Sequence, residues 1–247
     1  MAVVHPIGIP ENGSERIGIA FLAQHLPPEY LIFHNLELPA PSGLPYEYDM
    51  IVVGQYAVYV VELKGYRGRI TGNAYEWKLE SGAIYKSPIP LTNKKAKVVA
   101  TQLARYDRGL QNVWIQSIII LTDDRAHVQL NDPQADRVLH LQEAVAYILD
   151  PRRLPIPPPS LTGLTRRIGD AIAHQFRPLH RLQTIGDYRI LETIGKNNLY
   201  ATLLSMDGRP ITGKLAHRGS ACHAGANGGG RLPTVAGRSG NFRAGDC

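Results

Sequence analysis

Apolar and polar positions divide the chain into segments of different period. An apolar set begins at Ile17 and ends before Pro27-Pro28, predicting a helix from Glu15 to about Leu26 with Ser14 as its cap. Tyr30 to Leu38 reads as a strand, closed by the Pro/Gly segment Pro39 to Pro45. Two β-rich runs follow, Glu47 to Val53 and Tyr56 to Lys64. Gly54-Gln55 between them predicts a hairpin with a two-residue type II′ turn. Short strands near Arg69 to Thr71, Glu76 to Leu79 and Ala83 to Lys86 are expected to extend the same sheet. A helix from about Asn93 to Leu110, a strand from Trp114 to Leu121 and a helix from about Leu141 to Leu149 complete a mixed α/β pattern.

The pattern changes at Pro151. Five of the 18 prolines fall within 151–159, predicting a stiff extended spacer. An amphipathic helix over about 160–180 and short strands over 188–215 follow. Residues 216–247 hold eight of the 24 glycines and no periodicity. The expected organisation is therefore a domain at 10–150, a linker with a helix at 151–185, a small β-rich segment at 186–215 and a disordered tail at 216–247.

Composition narrows the function classes. Apolar residues make up 44% of the 247, enough for a core and against wholesale disorder. No apolar run approaches a membrane span and no charged-then-apolar leader is seen, so a cytoplasmic protein without a membrane partner is expected. Cys222 and Cys247 are too few for a disulfide framework or a structural zinc site. The net charge is +6, but the four arginines and one aspartate of 216–247 supply half of it. Basicity alone is weak support for a nucleic-acid partner.

The chemistry concentrates on the hairpin. If Val53 pairs with Tyr56, Asp49 lies opposite Val60, and strand alternation puts Asp49, Glu62 and Lys64 on one face. Asp49 and Glu62 become diagonal neighbours roughly 7–8 Å apart. Glu47 would then stand opposite Glu62. Acids and a lysine crowded on an apolar hairpin are costly unless a cation neutralises them. A divalent ion, Mg²⁺ or Mn²⁺, held by Asp49, Glu62 and the Leu63 carbonyl would suit phosphodiester hydrolysis, with Lys64 orienting water or stabilising developing charge.

Asp49 followed by Glu62-Leu63-Lys64 resembles the D…ExK core of the PD-(D/E)XK nuclease superfamily. The longer stretch through Gly13-Ser14-Glu15, Tyr46-Glu47-Tyr48-Asp49, Val61 to Gly68 and Trp77 is similar to the NERD (nuclease-related) domain. The resemblance implies a mixed central sheet flanked by helices, and magnesium-dependent cleavage of DNA by an endodeoxyribonuclease, or else a non-cleaving nucleic-acid-binding module. It also implies that Glu15 offers an auxiliary acid to the site, a role Glu47 could share. Gln102 and Tyr106 fit a QxxxY pattern of the superfamily, Gln102 as a positioning residue and Tyr106 toward the nucleic-acid backbone. Arg67, Arg69, Lys94 and Lys95, with other basic residues of the following helix, are candidate phosphate contacts.

Asp187 to Gly195 looks like the first strand of a protein-kinase N-lobe, with Tyr200 to Leu203 as the returning strand and Lys214 near the ATP-pairing lysine. The later loop glycines are replaced by Lys196-Asn197-Asn198-Leu199, and no HRD or DFG motif is present. The resemblance therefore implies an incomplete kinase fragment that neither binds ATP nor transfers phosphate, from a parent that joined a NERD domain to a Ser/Thr kinase. The abrupt change after Leu215 suggests a lost reading frame. Translating the alternative frames past that codon tests it: kinase motifs in another frame are expected, and their absence from every frame would refute it.

Overall fold

The computed structural model describes residues 1–39, 45–156 and 158–179, and the backbone of five short strands between 184 and 214. The chain divides into two units, the first running to Leu179 and the second beginning at His180.

In the first unit a mixed sheet is built from β1 (Val3–Pro6), β2 (Leu31–Leu38), β3 (Tyr46–Val53) and β4 (Val58–Lys64). The later strands β8 (Ile115–Leu121) and β10 (Val138–His140) join it in the order β1-β2-β3-β4-β8-β10, and β11 (Arg177–Pro178) pairs with β2. β2, β3 and β4 run antiparallel in turn, whereas β4, β8 and β10 run parallel. On one face α1 (Gly13–His25) and α3 (Leu141–Leu149) bury Leu22, Met50, Val61, Ile120 and Ile148. On the other, α2 (Pro88–Tyr106) and α4 (Thr165–Gln175) bury Phe33, Ile51, Val60, Val99, Leu103 and Ile172. Central strands covered on both sides explain the near-continuous apolar runs of β3 and β4.

Three elements depart from the sequence-based expectation. The cap of α1 is Asn12, whose Oδ1 accepts from the Glu15 amide at 3.0 Å. Ser14 instead donates its hydroxyl to Asn12. The start of α2 lies at Pro88, capped by Ser87, because proline's fixed φ suits the first helical turn. The strands β5 (Gly68–Asn73), β6 (Glu76–Leu79) and β7 (Ile84–Lys86) do not extend the main sheet. They form a separate four-stranded sheet with β9 (Ala126–Asn131), in the order β7-β6-β5-β9. The reason is local: both edges of β4 are already taken by β3 and β8, and Gly68, with φ +69°, turns the chain away.

The hairpin turn is also different. Val53 pairs with Val58, leaving Gly54 to Ala57 as a four-residue connection closed by the Gly54 amide on the Ala57 carbonyl at 2.9 Å. Gly54 is not among the positive-φ glycines, so the type II′ turn is absent. The register moves by two residues, which preserves facing.

The proline-rich segment is no free linker. Leu161 donates its amide to the Gln55 carbonyl at 2.6 Å, and Leu161, Ile168, Ile172 and Phe176 are buried against the sheet. The 10–150 boundary thus gives way to one that includes β1, the 151–156 and 158–164 stretches, and α4. In the second unit, β12 (Thr184–Ile185) pairs with β13 (Tyr188–Arg189). There β14 (Glu192–Lys196), β15 (Tyr200–Leu204) and β16 (Pro210–Lys214) form an antiparallel sheet. Expectations placed on 197–199, on the Lys214 side chain and on 216–247, including both cysteines, lie outside the described residues.

Among the described residues, no helix is long and apolar enough to cross a membrane.

Candidate active site

The site begins where two central strands lose their ladder. β2 pairs His34 with Met50 and Leu36 with Tyr48, so Asn35 falls opposite Asp49 without joining the ladder itself. Asn35 has φ 53°, a left-handed conformation that asparagine tolerates better than most residues. On both strands the buried side chains change face at this point: Phe33 and Leu36 share one core cluster, as do Tyr48 and Ile51. The β3–β4 ladder likewise stops at Met50 and Val61.

Beyond that stop, side chain replaces main chain. The Leu63 amide donates to Asp49 Oδ2 at 2.7 Å. Val58 donates its amide to Trp114, and Thr122 to the Lys64 carbonyl, so the even-numbered residues of β4 turn their main chain toward β8. By alternation the Leu63 main chain faces the gap that β3 leaves. The observed register extrapolates to Asp49 directly opposite Glu62, closer than the diagonal expected. Glu47 does not stand opposite Glu62; it pairs with Glu37 on β2.

Glu62 is 9% exposed, and both of its oxygens are engaged. Lys64 Nζ donates to Oε1 at 2.7 Å, and Lys95 Nζ of α2 donates to Oε2 at 2.7 Å. Lys95 is one of the candidate phosphate contacts. In α2 it falls on the face of Thr92, Ala96 and Val99 and is buried. Its ammonium lies 5.8 Å from the Tyr48 ring centroid, and Tyr48 donates its hydroxyl to the Lys95 carbonyl at 3.3 Å. The signal is in the helix periodicity, since Lys95 precedes the buried Val99 by four residues.

The electrostatics follow from this crowding. Burial raises the Asp49 carboxyl, and the neighbouring Glu62 charge raises it further, to about 7 despite the two lysines and the Leu63 amide. Burial would raise Glu62 too, but Lys95 and Lys64 outweigh it and hold that carboxyl at about 2. Burial disfavours the Lys64 ammonium, yet Glu62 and Asp49 carry its pKa above the ordinary lysine range.

A stability test follows. Because the folded-state value of Asp49 lies above its unfolded value, the native state binds the extra proton, and stability is lost as pH rises through about 7. In metal-free buffer, Asp49→Asn is expected to stabilise the chain at pH 8 by on the order of 2 kcal/mol and to change nothing below about pH 4. Thermal unfolding at the two pH values reads this directly; an equal or lower melting temperature at pH 8 would contradict it.

Other expected site residues are distributed unevenly. Glu15 is buried on the first turn of α1, close to the end of β4, where a Cβ on Gly65 would stand 3.0 Å from Ser14 Cβ. Its carboxylate accepts from Asn35 Nδ2 at 2.6 Å, Asn12 Nδ2 at 2.8 Å and the Glu11 amide at 2.6 Å. Glu15 therefore reaches the strand position opposite Asp49 through Asn35, a residue the sequence reading did not select. Gln102 lies two helical turns beyond Lys95, about 10 Å along the axis. Its carbonyl accepts from Gln175 at 3.2 Å. Tyr106, a turn further, leans on the His174 ring at 5.4 Å. On α2, then, Lys95 and not Gln102 meets the acids. Arg67 pairs with Asp123 at 2.6 Å, Arg69 is exposed on β5, and Lys94 is exposed with its ammonium 5.4 Å from the Tyr46 ring centroid.

The donor set fits a hard divalent cation. Two mutually repelling carboxylates and a main-chain oxygen are the ligand types magnesium and manganese take, leaving positions for water and phosphate oxygen. Among the described residues, no three His, Cys, Asp or Glu groups are arranged to hold a metal. If an ion binds here, the residues available to hold it are the two carboxylates and the Leu63 carbonyl, with water filling the remaining positions.

No solved structure matches the chain. A Streptomyces coelicolor protein named "Probable kinase PglW" is 28% identical over 137 residues, 53% of this chain. The matched part is only 9% of that protein's length. Residues 10–122, which contain Glu15, Asp49, Glu62, Lys64, Lys95 and Gln102, match the family model of NERD, the nuclease-related domain.

Proposed function

We propose that the first unit is a divalent-metal-dependent nuclease that hydrolyses DNA phosphodiester bonds. The observation that carries this reading is the convergence of Asp49, Glu62, Lys64 and the Leu63 main chain at the opening of the β3–β4 ladder. Asp49 is oriented by the Leu63 amide, so one carboxylate oxygen is held and the other remains for an ion. Glu62 and the Leu63 carbonyl would complete the protein's share of the ligands. A bound Mg²⁺ or Mn²⁺ supplies Lewis acidity at the phosphate and a more acidic water. Lys64, on the same face as both acids, would orient the attacking water or stabilise charge on the phosphorane-like transition state. Lys95 would then be released from Glu62 to face the phosphate.

One observation favours a second reading. With lysines on both Glu62 oxygens, the site could hold a phosphate by charge alone and bind DNA without cutting it. Incubating the whole chain with plasmid and linear DNA in Mg²⁺ or Mn²⁺, beside Asp49→Ala and Lys64→Ala, separates the two. Cutting that needs the metal and is lost in both variants is the expected result. Retained DNA binding with no cutting by the wild type would replace the enzyme with the binding module.

The relative's name suggests that the parent of this chain joined such a domain to a kinase. That activity is not proposed for residues 1–179.

A further inference from the structure

We propose that Tyr66 and Tyr85 form a stacking platform for an unpaired base, so that the strand presented to Asp49 and Glu62 is single-stranded DNA or a frayed duplex end. The proposal rests on the nuclease reading above and specifies its substrate. Three observations lead to it. First, Tyr66 lies two residues beyond Lys64, just past the end of β4 that carries the candidate catalytic groups. Second, the Tyr66 ring stacks on Tyr85, centroids 5.4 Å apart and planes inclined by 24°. It also rests edge-on against the fully buried Trp77, at 6.4 Å and 69°. Third, Tyr85 is on β7, the edge strand of the small sheet, and remains 46% exposed although its cross-strand partner Trp77 is buried.

A core tyrosine pair would be covered. This one is braced from below by Trp77 and open at Tyr85. Lys64, paired with Glu62, and the largely exposed Arg67, which shares Asp123 with Arg125, bring cations to the same strand end and loop. Aromatic faces beside cations are how proteins hold single strands without reading sequence, because every base offers a π-face. A paired duplex hides those faces within its own stack, so only an unpaired base can use Tyr85.

The test is equilibrium binding of the whole chain, in EDTA so that nothing is cut, to a fluorescein-labelled oligothymidine and to a duplex of equal length. Tyr85→Ala is expected to weaken single-strand binding by about tenfold or more, with Tyr85→Phe and Tyr85→Trp close to wild type and duplex affinity unchanged. The salt dependence should stay the same, since tyrosine neutralises no phosphate. The platform is overturned if wild type fails to bind the single strand, if Tyr85→Ala binds it as wild type does, or if Tyr85→Phe loses as much as Tyr85→Ala. Cleavage of the same oligonucleotides in Mg²⁺ is scored separately. Binding that depends on the Tyr85 ring without any cleavage would sink the nuclease reading and keep the platform, whereas cleavage indifferent to Tyr85 would do the reverse.

Discussion

Replacing Lys95 with methionine is expected to tighten Mn²⁺ binding while slowing DNA cleavage. The Lys95 ammonium donates to Glu62 Oε2 at 2.7 Å, so it competes with any cation for that oxygen. A unit charge a few ångströms away in a partly buried setting is worth about 4 kcal/mol before compensation, so relief of the competition should raise metal affinity by about tenfold or more. The same ammonium is the charge the substrate phosphate would lose, which is why turnover should fall. Methionine keeps much of the apolar stem packed on Tyr48, and Lys64 still neutralises Glu62. The fold should therefore survive, although breaking one arm of a buried ion pair costs up to about 3–5 kcal/mol. Calorimetric titration and plasmid cleavage read the two effects; weaker metal binding by Lys95→Met would show that Lys95 supports the ion and does not displace it.

Glu62→Gln is expected to abolish metal binding and to lower cleavage by about two to three orders of magnitude or more, the scale seen when one transition-state electrostatic contact is removed. It also leaves Lys64 and Lys95 facing a neutral amide, so the chain should melt earlier at neutral pH. The sign of the pH dependence is fixed by the depressed carboxyl. Glu62 contributes stability above its unfolded pKa near 4.5, and that contribution is lost as pH falls toward 2. The variant's deficit should therefore shrink in acid. A constant deficit from pH 7 to pH 3 would mean that the ion pairs with Lys64 and Lys95 contribute nothing.

The site was legible through parity more than through register. A two-residue turn and the observed four-residue connection differ by two positions in pairing, and a shift of two keeps every side chain on its face. Asp49, Glu62 and Lys64 therefore share a face under either turn, whereas Glu47, whose placement needed the register, was misplaced. Glu15 is a candidate only through the family resemblance, and its link to the site runs through Asn35. An asparagine inside the apolar strand β2, in a left-handed conformation, carries a signal that hydrophobic periodicity alone does not. Lys95 stands among exposed charged residues of α2, yet it precedes Val99 by four positions and so lies on the apolar side, where its ammonium meets Glu62.

The core was legible in its strands and less so at its margins. β1, β9 and β10 are short and gain their stability from parallel partners far along the chain, contacts that no local pattern announces. The 151–159 prolines resembled a linker because proline cannot join a ladder, yet residues on either side of them pack on the sheet. Leu154 and Leu161 are both buried there, so this spacer lies on the protein surface instead of separating two bodies.

The proposed divalent-metal site of Asp49, Glu62 and the Leu63 carbonyl requires an ion to share Glu62 with Lys64 and Lys95. Mn²⁺ titration of the whole chain, followed by electron paramagnetic resonance, addresses it most directly. One ion bound per wild-type chain and none per Glu62→Gln chain is the expected result; equal Mn²⁺ binding by the two proteins would contradict it.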